Sequence, residues 1–221
     1  MSLFLELLIK GGPITWLIFG LGLIALIMIL ERLFHFHRAQ INVPEFMRGV
    51  INVLKRNNTV EAISICDETP GPVAQMLRAA ILRCGKGEKA MRQAVHEAGL
   101  AEIPRMEKCL KGLATIAYLT PLLGLLGTVI GMITLFQSME QSGTFVDTKS
   151  LAEGIWQALL STAAGLTIAI PTYGFYNYFI GRIDSLIVEM EKASSEMIYF
   201  LLENNVHVET TRSGKDGNSI S

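Results

Sequence analysis

The run from Gly112 to Phe136 contains no Asp, Glu, Lys, Arg or His. A bilayer core takes roughly 20 helical residues, so the run is long enough to cross one. It is not a plain apolar anchor. Pro121, Gly124, Gly127, Thr128 and Gly131 stand close together at its centre. Gly127 and Gly131 are four apart, so they share a helical face and allow another backbone to approach. Thr128 puts a hydroxyl beside that face at membrane depth. Pro121 removes one internal hydrogen bond, which lipid tolerates only where neighbouring groups re-satisfy the backbone.

A second uncharged run, Ile155 to Ile180, answers the first. Gln157, Ser161, Gly165 and Thr172 follow steps of four, four and seven, so one stripe is small or polar. Thr162, Thr167 and Pro171 lie in the same run, and its remainder is largely Leu, Ile, Phe and Tyr. This periodicity serves a polar pathway and plain helix packing equally well, because hydroxyls can bond their own helix and small residues permit tight contact. The third run, Ile14 to Leu30, has Trp16 near its start and Glu31-Arg32 at its end. It lacks the basic start and the small-residue cleavage site of a signal peptide, so it is expected to be a retained helix.

Half of the chain is apolar and mean hydropathy is +0.40, which suits a small polytopic membrane protein better than a soluble domain. The net charge of −1 argues against a nucleic-acid partner. Cys66, Cys84 and Cys109 form no CxxC pair and their number is odd. Reduced thiols are the simple reading, and no ligand spacing for a metal is present. His35, His37 and His96 are isolated and read as surface or packing residues.

The expected architecture is all-α, with three transmembrane helices, the second and third extended into the cytoplasm. Residues 1–11 form an interfacial amphipathic segment, with Leu3, Phe4, Leu7 and Leu8 against Glu6 and Lys10. Residues 12–30, 112–136 and 155–180 are the spans. Residues 31–111 form a helical loop and 137–154 the other connection. Residues 181–203 form a helical extension with Ile183, Leu186, Ile187, Met190, Met197 and Leu201 on one face. Residues 204–221 form a polar tail expected to be disordered. Within the loop, Asn42-Val43-Pro44-Glu45 predicts a capped helix running to about Arg56, with Phe46, Val50, Val53 and Leu54 on one side. Thr59 to Asp67 and Val73 to Arg83 predict two more helices, separated by a turn at Pro70-Gly71-Pro72. A last helix from Glu88 is expected to run into the second span with a kink at Pro104.

The loop holds 13 of the 19 Lys and Arg residues, against Lys149 alone in the other connection. That asymmetry places the loop in the cytoplasm, the N-terminus outside and the C-terminus inside.

What the spans lack is equally informative. Intramembrane ionisable groups usually carry proton relays, and these spans hold none. If protons cross here, another chain must bring the carboxylate. Thr128, Thr162 and Gln157 could orient water or hydrogen-bond such a group, but cannot hold its charge. The Ser residues have no His or Lys partner at membrane depth, and HExxH, P-loop and GxGxxG patterns are missing. Neither catalysis nor a cofactor is expected.

The ordered series Leu122-Leu123-Gly124-Leu125-Leu126-Gly127-Thr128-Val129-Ile130-Gly131-Met132, then Leu151-Ala152-Glu153-Gly154-Ile155, Thr162-Ala163-Ala164-Gly165-Leu166, Ala169-Ile170-Pro171 and Tyr176-Asn177 resembles the MotA/TolQ/ExbB proton-channel family, closest to its ExbB branch. The resemblance runs to about Glu203. It implies a homopentamer in the bacterial inner membrane around single-span helices of an ExbD-, TolR- or MotB-type partner, which supplies a transmembrane Asp. For the ExbB branch it implies a TonB-like recipient that energises outer-membrane transport. Thr128 and Thr162 match the family's two pore-facing threonines, and Pro121 and Pro171 match family prolines. Gln157 stands where many ExbB and TolQ proteins have Glu, which leaves it a hydrogen-bonding role. Ser161 joins these as a pore-lining candidate from the stripe, and Gly124, Gly127, Gly131 and Gly165 are the packing positions. The rival expectations are a TolQ-like envelope-maintenance motor, a passive scaffold whose loop docks soluble proteins, and a self-contained channel, the last disfavoured by the lack of any charged ring.

Overall fold

The computed structural model describes residues 12–38, 42–142 and 148–204. The expected interfacial segment 1–11, residues 143–147 of the connection and the tail from 205 lie outside the described residues. All regular structure among the described residues is α-helical. The helices are α1 (Gly12–Arg38), α2 (Val43–Leu54), α3 (Thr59–Glu68), α4 (Pro72–Leu82), α5 (Glu88–Glu107), α6 (Leu110–Ser142) and α7 (Thr148–Glu203). Three apolar stretches long enough to cross a membrane fall within them, and together they make the chain an all-helical protein with three candidate spans.

The chain divides into two units, and α7 contributes to both. One unit takes Glu107–Ile183 with α1. Here α1 runs beside both long helices. Met28 lies against Gly112, Ile14 against Gly127 and Ile168 against Gly22. Thr15, Ile18, Ala25, Ile29 and Arg32 are buried and repeat at steps of three, four and seven, so they form the inward stripe of α1. Leu23, Ile27, Leu122, Leu125, Ile133, Leu159 and Ile170 are exposed. Such an apolar coat would be a liability in water but is the ordinary outer surface of helices in lipid or in contact with neighbouring subunits.

The other unit takes the chain from Ala39 to Met106 and α7 from Asp184. Its helix starts are set by local chemistry. Asn58 accepts the Glu61 amide proton through Oδ1 (3.2 Å) and donates from Nδ2 to the Glu61 carboxylate (2.6 Å), a reciprocal cap. Gly71, at φ +134°, makes the turn that puts Pro72 in the first turn of α4. Asn42 differs from expectation. Its side chain caps no backbone amide and instead donates to the Glu45 carboxylate at 3.3 Å. The inward side of α2 also differs, since Met47, Val50 and Leu54 are buried while Phe46 and Val53 are half-buried. Steps of three and four from Met47 keep one stripe facing the core, and Phe46 falls off it. The expected continuous helix through Pro104 is likewise divided. α5 passes through Pro104, ends at Glu107 and is followed by a turn at Lys108-Cys109 before α6 begins.

Candidate functional site in the seam between α6 and α7

The small residues of the two uncharged runs face each other. A Cβ added to Gly124 would stand 3.0 Å from the Ser161 carbonyl oxygen and 3.1 Å from the Thr162 Cα. One added to Gly165 would stand 2.8 Å from the Thr120 oxygen and 3.1 Å from the Gly124 Cα. Further along, Gly127 meets the Ser161 side chain and Gly131 meets Ala158. The helices are therefore antiparallel and in backbone contact, an approach that only glycine permits without displacement. All four glycines singled out in the sequence lie in this seam.

The polar candidates take different places around it. Thr162 is half-buried, and its Oγ1 donates across the seam to the Gly124 carbonyl at 3.1 Å. Thr128, one turn beyond Gly124, is also half-buried and donates to its own helix at Leu125 O (2.6 Å). Ser161 is buried at 2% exposure between α6 and α1. It donates to Gln157 O (3.1 Å) and has Thr15 Oγ1 at 3.5 Å. Gln157 is half-buried, with its Nε2 2.6 Å from the position of a Cβ on Gly12. Ser161 and Gln157 thus meet the first helix, whereas Thr128 and Thr162 keep an open side.

Pro121 and Pro171 lie inside continuous helices. Each has a buried threonine as chain neighbour. Thr120 donates to Ile116 O (2.5 Å) and Thr172 to Ile168 O (2.7 Å). These bonds reach the carbonyls next in sequence to those of Ala117 and Thr167, which the prolines leave without an i+4 N–H partner.

Chemically, the seam is a row of hydroxyls whose protons are already committed to carbonyl oxygens. A hydroxyl has one proton to give and two lone pairs to accept with. In this state Thr128 and Thr162 are poised to accept hydrogen bonds from a water or a protonated acid. Among the described residues no group of His, Cys, Asp and Glu is arranged to hold a metal ion.

Thr15, Thr120 and Arg32 were not singled out from the sequence as parts of this unit's interior. The signal for two of them was present. Thr15 and Arg32 continue the stripe of Ile18, Gly22, Ala25 and Ile29 along α1.

Fold and site together define a multi-pass helical membrane protein with a hydroxyl-lined glycine seam. A model of the MotA/TolQ/ExbB proton channel family matches residues 68–192, more than half of the chain, and the chain belongs to that family. It is a family of transport proteins and not of enzymes. The chain is 30% identical over 188 residues to an ExbB homolog of biopolymer transport from Methanothermobacter thermautotrophicus, covering 85% of this chain and 66% of that one. It is 30% identical over 170 residues to the biopolymer transport protein ExbB-like 3 of Synechocystis, covering 76% and 81%. With the biopolymer transport protein exbB1 of Vibrio cholerae it shares 27% identity over 163 residues, 72% of each chain.

Proposed function

We propose that the chain is the pore-forming subunit of an ExbB-like motor driven by the proton-motive force. It assembles as a pentamer around the single transmembrane helices of an ExbD- or TolR-type partner, which brings the membrane Asp that the spans lack. In the ExbB form of this reading the recipient is a TonB-like protein and the work serves outer-membrane transport. The complex then sits in a bacterial inner membrane, with the N-terminus periplasmic and the C-terminus cytoplasmic.

The observation that supports this most is the Thr162 Oγ1–Gly124 O bond beside Thr128. It leaves acceptor lone pairs on an open side of a span that has no ionisable group of its own. Such a site favours the protonated, neutral form of a visiting carboxylic acid, because that form can donate to these lone pairs and the carboxylate cannot. A carboxylate that loses its proton would lose that partner and move on. Proton transfer is thereby coupled to displacement of the partner helix.

Thr162→Val keeps the side-chain volume and removes the hydroxyl. The expected result is loss of energised activity with assembly intact. Unchanged activity removes Thr162 from the mechanism. If Thr128→Ala and Thr162→Ala are both tolerated, the seam serves packing alone and the scaffold reading stands. Native mass spectrometry of the tagged chain from its own membranes names the partner. Five copies with two copies of a single-span protein bearing a membrane Asp support the motor, and the identity of that protein separates the ExbB from the TolQ form. Association with cytosolic proteins alone favours the scaffold.

A further inference from the structure

Beside the seam, on the side of α1, lies a groove of about 370 Å³ between α1 and α7. Phe19, Leu23 and Leu26 of α1 face Ile168, Pro171 and Phe175 of α7 across it. Its lining includes two hydroxyls, of Thr167 and Thr172, and both donate to carbonyls of their own helix at 2.7 Å. The groove therefore offers no free donor along its length and favours an apolar occupant.

The α1 stripe that lines this groove continues past Ile29 to a charged residue outside the lining. Ala25 and Ile29 line the groove, and Arg32 follows at the next step of the same α1 stripe. Arg32 is 6% exposed, and its Nε, fully covered, has no hydrogen-bond partner. Buried guanidinium donors without acceptors are rare, and a cation at the end of a membrane helix needs an anion or water. Side chains on a helix lean toward its N-terminus, so Arg32 leans back over Ile29 and not away from the groove.

We infer that the α1–α7 groove and Arg32 together form a site for one anionic phospholipid, with an acyl chain along the groove and the headgroup phosphate on the Arg32 guanidinium. The planar fork of Arg suits a phosphate better than the point charge of Lys does. An apolar slot whose α1 stripe continues to a buried guanidinium with an unsatisfied Nε matches the two halves of a phospholipid, which neither a soluble anion nor a purely apolar helix does. The site lies apart from the α6–α7 glycine contacts, so the inference stands whether or not the motor reading holds.

The test is native mass spectrometry of the full-length protein in mild detergent, titrated with phosphatidylglycerol and, separately, phosphatidylcholine. The wild type is expected to bind phosphatidylglycerol about fivefold more tightly than phosphatidylcholine, the contribution of roughly one basic residue near an anionic headgroup. Arg32→Gln should abolish that preference, and Arg32→Lys should restore part of it. Leu26→Trp, at an exposed rim position with the buried stripe intact, should fill the groove and weaken both lipids. Three results overturn the proposal: Arg32→Gln retaining the preference, Leu26→Trp binding as the wild type does, or inorganic phosphate displacing phosphatidylglycerol at equal concentration. Loss of a co-purifying protein from Arg32→Gln, with lipid binding unchanged, would assign the cation to a partner carboxylate instead.

Discussion

In the membrane unit, α6 and α7 approach each other at residues with no side chain. Gly124 and Gly165 let α6 and α7 touch backbone to backbone, while Leu122, Leu125 and Ile133 point outward. In the other unit the arrangement is reversed. Leu54, Leu77, Ile81, Met91, Met190 and Met197 are among the largest fully buried side chains of the chain, and charged residues such as Arg92 and Glu88 face out. The same sequence thus uses two packing chemistries. In water, burying apolar area drives helices together. In lipid the surroundings are as apolar as Leu, so close van der Waals contact and interhelical hydrogen bonds must do it instead.

The sharpest way to break this contrast is to exchange the residue types. Leu77 is fully buried in the core of its unit. Leu77→Ala should cost about 2–5 kcal/mol, the range for leucine truncation in a core. Leu125→Ala, at 58% exposure on α6, should leave thermal unfolding of the detergent-solubilised protein nearly unchanged. Equal loss from both would mean that the outward leucines of α6 pack as a core does, against another subunit.

The complementary exchange adds a methyl group where none fits. A Cβ at Gly165 would stand 2.8 Å from the Thr120 carbonyl oxygen, and backbone cannot rotate away. Gly165→Ala is expected to destabilise by about 1–3 kcal/mol, as overpacking does. Gly181→Ala, with nothing within 4 Å of the added carbon, should be neutral or slightly stabilising, because alanine is the better helix former. Melting curves of the two variants side by side measure the difference. A tolerant Gly165 would mean that the seam opens at little cost.

A smaller effect tests the start of a helix. Asn58→Ala removes both halves of the α3 cap and should cost about 1 kcal/mol. Asn42→Ala should cost less, since Asn42 makes no side-chain bond to a backbone amide. Thermal melts of the two variants check the order. The reverse order would mean that the Asn42–Glu45 contact holds α2 as firmly as a cap.

These cases show which parts of the architecture could be read from residues. Uncharged runs of bilayer length and the Gly127–Gly131 spacing led to three long helices and to close packing, because composition and period act locally. Glycine spacing also marks the face that meets a neighbour. Which neighbour it meets is not local. Ser161 and Thr162 are adjacent in sequence on one polar run, yet Ser161 turns inward to α1 and Thr162 to the Gly124 carbonyl. A stripe of small residues looks the same whether it faces an interior or an opening. The burial of Arg32 was obscured by its position after Glu31, where a charged pair reads as the end of a span. Its spacing from Ile18, Ala25 and Ile29 is present in the sequence, but which side of α1 faces inward is not.

The smallest predicted effect, at neutral pH, concerns the core of the other unit and has no counterpart in the spans. Cys66 is fully buried. Burial first, and then the neighbouring Asp67 carboxylate, push its thiol up to about 11, with Arg78 opposing them. At pH 7 only about one molecule in ten thousand carries the thiolate, so alkylation of Cys66 in the folded protein should be slow. Raising the pH should also weaken this unit. Above the thiol's ordinary value of 9.0 the unfolded chain releases its proton while the folded chain keeps it, up to about 11. The folded state then binds more protons, and stability falls as pH rises through that window. The loss from this one group should be roughly 1 kcal/mol by pH 10. Denaturant melts at pH 8 and pH 10 test it, with Cys66→Ala expected to show the shallower decline. An equal decline in both would mean that the fall comes from other groups and that the core around Cys66 admits water.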